Sequence, residues 1–119
     1  MSRAVDGTRR HDRRKKLLKQ AKGYWGRRSK LYRTAKDAVS KSLAYSYRDR
    51  KQRKRDFRKL WIIRISAECK NNGITYSRFI HGLKVANINI NRKALSNMAI
   101  EDKEAFKAVV EQAKQAIVE

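Results

Sequence analysis

Proline is absent from this 119-residue chain, cysteine occurs once and glycine five times. Without proline, only the glycines and the clusters of Asn, Ser, Asp and Thr can end a helix, so almost the whole chain is expected to be helical. The lone Cys69 rules out an intramolecular disulfide, and its apolar surroundings read as a buried, inert thiol in a reducing compartment. No apolar run approaches the roughly 18 to 20 residues that span a bilayer, and no apolar stretch follows the N-terminal charges as a secretory signal requires. A soluble, intracellular protein is the expectation. His11 and His81 stand far apart in the chain, so no metal-ligand spacing exists. No Ser/His/Asp or Cys/His arrangement and no phosphate-cradling glycine loop after a strand is present, and the expected protein is no enzyme and needs no cofactor.

Acid is scarce too: 11 Asp and Glu face 32 Lys and Arg, for a net charge of +21. The imbalance is concentrated, with 23 basic against 5 acidic residues in 1–60 and 9 against 6 in 61–119. Like charges at that density repel in a compact state, so the first half is expected to order against a polyanion, with nucleic acid the natural one. Only residues from about Phe57 onward look able to bury a core. An Arg-rich transit peptide is disfavoured because Asp6 and Asp12 lie within the N-terminal tract.

Gly7 and Thr8 offer an N-cap to a first helix from Arg9 to Lys22, which Gly23-Tyr24-Trp25-Gly26 interrupts. A second helix is expected from Arg27 to Lys70. At about 1.5 Å per residue it reaches roughly 65 Å, far beyond a domain of about 10 Å radius of gyration, and so reads as an arm. Between Arg48 and Lys59 positive charge falls at every azimuth of that helix, leaving no apolar stripe for a protein core. Phosphates on several sides fit such a helix, which points to penetration between RNA helices. Asp49 and Asp56 are spaced to pair with Arg53 or Lys59.

From Phe57 to Lys70 the helix turns apolar almost all round, with Arg64 and Glu68 placed to pair, until Asn71-Asn72-Gly73 stops it. Thr75 or Ser77 then caps a short helix to Val85, with Phe79, Ile80 and Leu83 inward. The stretch 87–91 reads as a linker tucking in Ile88 and Ile90. A helix from Arg92 to Ile100 buries Leu95, Met98 and Ala99, and Glu101 or Asp102 opens a last helix on Phe106, Val109, Val110, Ala113 and Ile117. The fold class is therefore all-α: a long basic helical extension, residues 1–58, and a compact helical C-terminal domain, residues 59–119. Trp61 belongs to the apolar run from Phe57 to Lys70, and if it is core its truncation to Ala costs about 3 to 5 kcal/mol.

Tyr24, Trp25, Tyr32, Tyr45 and Tyr47 lie among the arm's cations, where they can stack on unpaired bases or pack on Leu17, Leu18, Leu31 and Leu43. Tyr24 and Trp25, in the glycine break, lean to the nucleic acid. Gly23-x-x-Gly26 matches the clamp of a KH module only formally, since the strands of that fold are missing, and reads as a hinge.

The segments Lys22-Gly23-Tyr24-Trp25-Gly26, Ser29-Lys30-Leu31-Tyr32-Arg33, Tyr47-Arg48-Asp49-Arg50, Arg53 to Ile62 and Tyr76-Ser77-Arg78-Phe79 resemble the bacterial-type large-subunit ribosomal protein L20 family. The likeness runs in order from about Arg9 to Ile117. It implies a structural protein of the large ribosomal subunit whose helical extension threads into 23S-type ribosomal RNA. It also implies a C-terminal domain seated on the solvent side against RNA and a role early in subunit assembly, and some members repress their own messenger. Carried over by position, the RNA-binding residues are Arg9, Arg10, Arg13, Arg14, Lys15, Lys16, Lys19, Lys22, Arg27, Arg28, Lys30, Arg33, Lys36, Arg48, Arg50, Lys51, Arg53, Lys54, Arg55, Arg58 and Lys59, with Tyr24, Trp25, Tyr32 and Tyr47. Asn71, Asn72, Ser77, Arg78 and His81 are weaker candidates on the domain. The expected partners are large-subunit ribosomal RNA and neighbouring ribosomal proteins, with no membrane and no small-molecule substrate.

Two departures qualify the likeness. Ser2 stands where the family commonly has proline, and Asp6 and Asp12 place acids in a tract that is usually basic or neutral, which weakens contacts before about Arg13. A bacterial cytoplasmic ribosome is the expected location, with a divergent bacterium or an organelle left open. A DNA-compacting or helix-turn-helix regulator is the rival reading, disfavoured because no domain helix has a basic, polar reading face like the arm's. A membrane-surface peptide lacks its apolar face.

Overall fold

The computed structural model describes residues 7–118, so Ser2 and Asp6 lie outside the described residues. Five α-helices follow in order: α1 Arg9–Gln20, α2 Tyr32–Asn71, α3 Tyr76–Val85, α4 Arg92–Glu101 and α5 Lys103–Val118. A single 3-10 turn, Gly26–Ser29, stands between α1 and α2, and no strand occurs among the described residues. α2 runs for 40 residues because nothing in it stops a helix: it contains neither glycine nor proline. Its start is Tyr32, not Arg27, since Gly26–Ser29 close a separate 3-10 turn before it, behind left-handed Gly23 and Gly26 (φ 90° and 59°). The chain divides into two compact units, with the boundary between Lys51 and Gln52.

In the first unit, the expectation that only residues from about Phe57 onward bury a core does not hold. Ala21, Ala35 and Val39 are buried together, with half-buried Leu17, Leu18 and Tyr24 packed on them. Small side chains at the end of α1 and one turn apart on α2 permit this close approach, which a count of charges does not reveal. The Arg14 guanidinium lies 5.2 Å from the Tyr32 ring centroid, tying the two helices further. Thr8 occupies the N-cap of α1 without a side-chain capping bond, its hydroxyl donating to Asp12 Oδ2 at 3.4 Å. Asp12 in the first turn complements the positive end of the helix.

The second unit holds the main core. Ile65 and Cys69 of α2, Ile74, Phe79 and Leu83 around α3, Leu95 and Ala99 of α4, and Phe106, Val110 and Ala113 of α5 are all buried. Phe79 and Phe106 stack tilted at 5.4 Å. α3 approaches α5 so closely that a Cβ added at Gly82 would fall 2.9 Å from the Ala113 carbonyl carbon and Cβ, and closer still to its oxygen. Each short helix begins on a cap: Thr75 Oγ1 accepts from Arg78 N at 3.5 Å, Asn91 Oδ1 from Ala94 N at 2.8 Å, and Asp102 Oδ1 from Ala105 N at 3.0 Å. Ile88 and Ile90 of the linker pack on the core as the pattern implied. Gly73 supplies the left-handed residue (φ 72°) that ends α2, and the Lys114 ammonium donates to the Asn72 carbonyl just beyond it.

Three expectations for this unit are corrected. Phe57 to Lys70 is apolar on nearly all sides, but only one face is covered: Ile65 and Cys69 are buried while Ile63 is 65% exposed and Phe57 50% exposed. Ile117 is exposed near the chain end. Glu68 does not meet Arg64; its carboxylate accepts from Asn71 at 3.2 Å, and its backbone carbonyl accepts from Asn72 at 2.9 Å. The helix stop sits one turn away and its short amides reach Glu68 at lower entropic cost than a long guanidinium. Ser96, fully buried on α4, has a hydroxyl with no hydrogen-bond partner.

Candidate nucleic-acid interface

Every residue from Leu43 to Leu60 is exposed, so α2 meets solvent on all sides over this stretch. Arg48, Arg50, Lys51, Arg53, Lys54, Arg55, Arg58 and Lys59 therefore present cations around the full circumference of the helix. The pairing expected along it is different in detail. Asp49 bonds Arg48 at 2.9 Å, the ion pair found among the described residues, and Asp56 accepts from Gln52 at 3.3 Å. The hydrogen bond and charge of Asp49 raise the Arg48 pKa further. Arg53 and Lys59 stay clear of both acids.

The seven basic residues of α1, Arg9, Arg10, Arg13, Arg14, Lys15, Lys16 and Lys19, are exposed, as are Lys22, Arg27, Arg28 and Lys30 in the break and Arg33 and Lys36 on α2. The aromatic residues divide. Tyr24 and Tyr32 are half-buried, one against the small cluster and the other under Arg14, so packing takes up much of each ring. Tyr47 is exposed, with Lys51 Nζ 4.4 Å from its ring centroid and bonded to its hydroxyl at 2.8 Å. Tyr45 carries Arg48 at 4.4 Å. Trp25 is 91% exposed, held out by the left-handed Gly23 and Gly26 that flank its turn.

On the domain, Asn71 and Asn72 are engaged by Glu68, and Asn72 is half-buried, which ties both to the helix stop. Ser77, Arg78 and His81 are exposed on α3, with Ser77 and His81 one turn apart. Among the described residues no group of acids, His and Cys is arranged to hold a metal ion. Burial pushes the Cys69 thiol up to about 11, aided by neighbouring Glu68, and makes it a poor nucleophile.

The second unit also holds a groove that is not apparent along the chain. About 640 Å³ in volume, it is lined by Arg53, Lys54, Phe57, Arg58, Trp61 and Arg64 of α2 and by Lys93 and Asn97 of α4. The α2 residues recur at helical spacing on one face, a signal present in the sequence, but α4's contribution exists only once the chain is folded. Trp61, a member of the apolar run, is a half-buried wall of this groove, its ring 6.4 Å from that of Phe57.

Among the described residues the secondary structure is helical only, with a densely cationic, fully exposed helix segment and a small capped core, the physical character of a basic protein suited to nucleic acid. The sequence model described as ribosomal protein L20 matches residues 3–109. Large ribosomal subunit protein bL20 of Ruthia magnifica subsp. Calyptogena magnifica is 57% identical over 99% of both chains. That of Hydrogenobaculum sp. is 61% identical over 87% of this chain and 90% of its own, and that of Buchnera aphidicola subsp. Cinara cedri is 57% identical over 98% of each. The chain belongs to the ribosomal protein L20 family.

Proposed function

We infer that the chain is a structural, non-enzymatic constituent of the large ribosomal subunit that binds ribosomal RNA in the bacterial cytoplasm. The carrying observation is the stretch from Leu43 to Leu60, exposed throughout and charged at every azimuth, a helix that protein packing alone does not explain. Family membership and the bacterial relatives support the ribosomal assignment. The finer reading is that residues 1–58 neutralise 23S-type RNA phosphates where RNA helices crowd together, while residues 59–119 anchor the root of this extension and lie beside neighbouring ribosomal proteins during early assembly. Counterion release supplies most of the affinity, and A-form shape much of the choice of site.

Competition at fixed salt tests this directly. Structured large-subunit RNA is expected to displace duplex DNA of equal length, with a steep fall in affinity as salt rises. Equal binding to both would return the DNA-architectural reading. Crosslinking in intact large subunits is expected to mark Arg9 to Lys59, and crosslinks confined to the C-terminal domain would overturn the threaded extension.

A further inference from the structure

We propose that the groove between α2 and α4 is a receptor for one unpaired nucleotide of the bound RNA, its base stacked on Trp61 and Phe57 and its phosphates held by the rim. The inference rests on the RNA-binding reading above and adds a specific subsite to it. Three observations converge. The two rings stand 6.4 Å apart at an interplanar angle of 40°, so they present an apolar wall and not a closed stack. Five cations, Arg53, Lys54, Arg58, Arg64 and Lys93, line the groove with no acid among them. The ion pair of the described residues lies elsewhere, at Arg48 and Asp49.

The chemistry of that lining selects its occupant. An apolar protein segment would leave five guanidinium and ammonium groups to be desolvated without partners, a heavy penalty. A nucleotide offers both parts required: a flat π-face for the rings and an anionic backbone for the rim. The volume of 640 Å³ lies within the usual span of small-ligand pockets, about 300 to 1,000 Å³, and suits one extruded nucleotide, whereas a base pair in a duplex hides its faces from Trp61. Asn97, one turn from Lys93 on α4, places an amide with both donor and acceptor at the edge, where it can meet a base's polar rim.

Trp61 is its own reporter once the other indole is removed. In the full-length Trp25→Phe protein, single-stranded oligoadenylate is expected to quench Trp61 emission saturably. A blunt-ended, fully paired RNA duplex of equal charge and a hexaglutamate peptide are expected to leave it nearly unchanged at the same salt. Adding Lys93→Glu, an exposed change on α4 that disturbs no core residue, is expected to weaken the quenching titration about tenfold and to lower its salt slope by about one, with unchanged helical circular dichroism. Oligoadenylate anisotropy is followed in parallel. RNA binding by anisotropy without Trp61 quenching would overturn the groove proposal and leave the ribosomal reading standing. Absence of RNA binding altogether would overturn both. Quenching of equal size by hexaglutamate would overturn the nucleotide in favour of an acidic protein segment.

Discussion

At Gly82, α3 lies so close to α5 that any side chain there meets the Ala113 backbone. Backbone cannot yield as a flexible side-chain tip does, so Gly82→Ala is expected to destabilise the C-terminal unit by about 1 to 3 kcal/mol, read as a lower urea midpoint. Phe106→Ala removes a fully buried ring stacked on Phe79 and is expected to cost about 3 to 5 kcal/mol. Trp61→Ala is expected to cost less, below about 2 kcal/mol, because Trp61 is a groove wall and its ring is only half-buried. Cys69 makes a pH-dependent contribution. Its folded pKa of about 11 stands above the ordinary thiol value, so the folded state holds its proton more tightly. That stabilisation is complete below the unfolded value and is lost as pH rises through about 11. Between pH 8 and 11 the urea midpoint of the native protein is expected to fall more steeply than that of Cys69→Ala, and parallel slopes would show the thiol not to be buried in solution.

Among the elements, α2 serves two environments with one continuous backbone. Its first turns pack Ala35 and Val39, its middle is exposed all round, and its last turns carry Ile65 and Cys69 into the main core. The exposed middle contributes no buried side chain to either cluster. Arg50→Pro, which breaks the helix at a cost of about 3 kcal/mol or more, is therefore expected to reduce helical ellipticity while leaving the urea midpoint of the C-terminal unit unchanged. The short helices depend on their caps instead. Thr75→Ala deprives Arg78 N of its acceptor and is expected to lower stability by about 1 kcal/mol, with Thr75→Ser recovering most of it.

The whole molecule combines a main core, a minor cluster and a stretch with neither. Free protein is expected to show a matching gradient of amide exchange: slowest around Phe79 and Val110, intermediate around Ala35 and Val39, fastest from Leu43 to Asp56. Bound RNA is expected to slow the last group most, because ordering against phosphates is coupled to binding there. Protection from Leu43 to Asp56 in the free protein equal to that of the core would contradict this account.

Much of this was legible along the chain, for reasons that are local. The absence of proline and the glycine-free run after Gly26 determined the long helix, though not its start at Tyr32, Asn71-Asn72-Gly73 its end, and Thr75 or Ser77 and Glu101 or Asp102 the starts of α3 and α5 to within two residues, since capping and helix propagation involve neighbours a few residues apart. The charge at every azimuth between Arg48 and Lys59 marked the candidate interface, because helical periodicity alone places those side chains. Tertiary structure alone decided which of several apolar faces is covered: Ile65 is buried and Ile63 open, though both are isoleucines of one run. It decided that Ala21, Ala35 and Val39 form a second cluster, and that Glu68 is engaged by Asn71 and Asn72 and not by Arg64. It also brought Lys93 and Asn97 opposite Trp61, so that a side chain of the apolar run became the wall of a groove. These outcomes depend on which helix lies against which, a long-range property that no window of sequence contains.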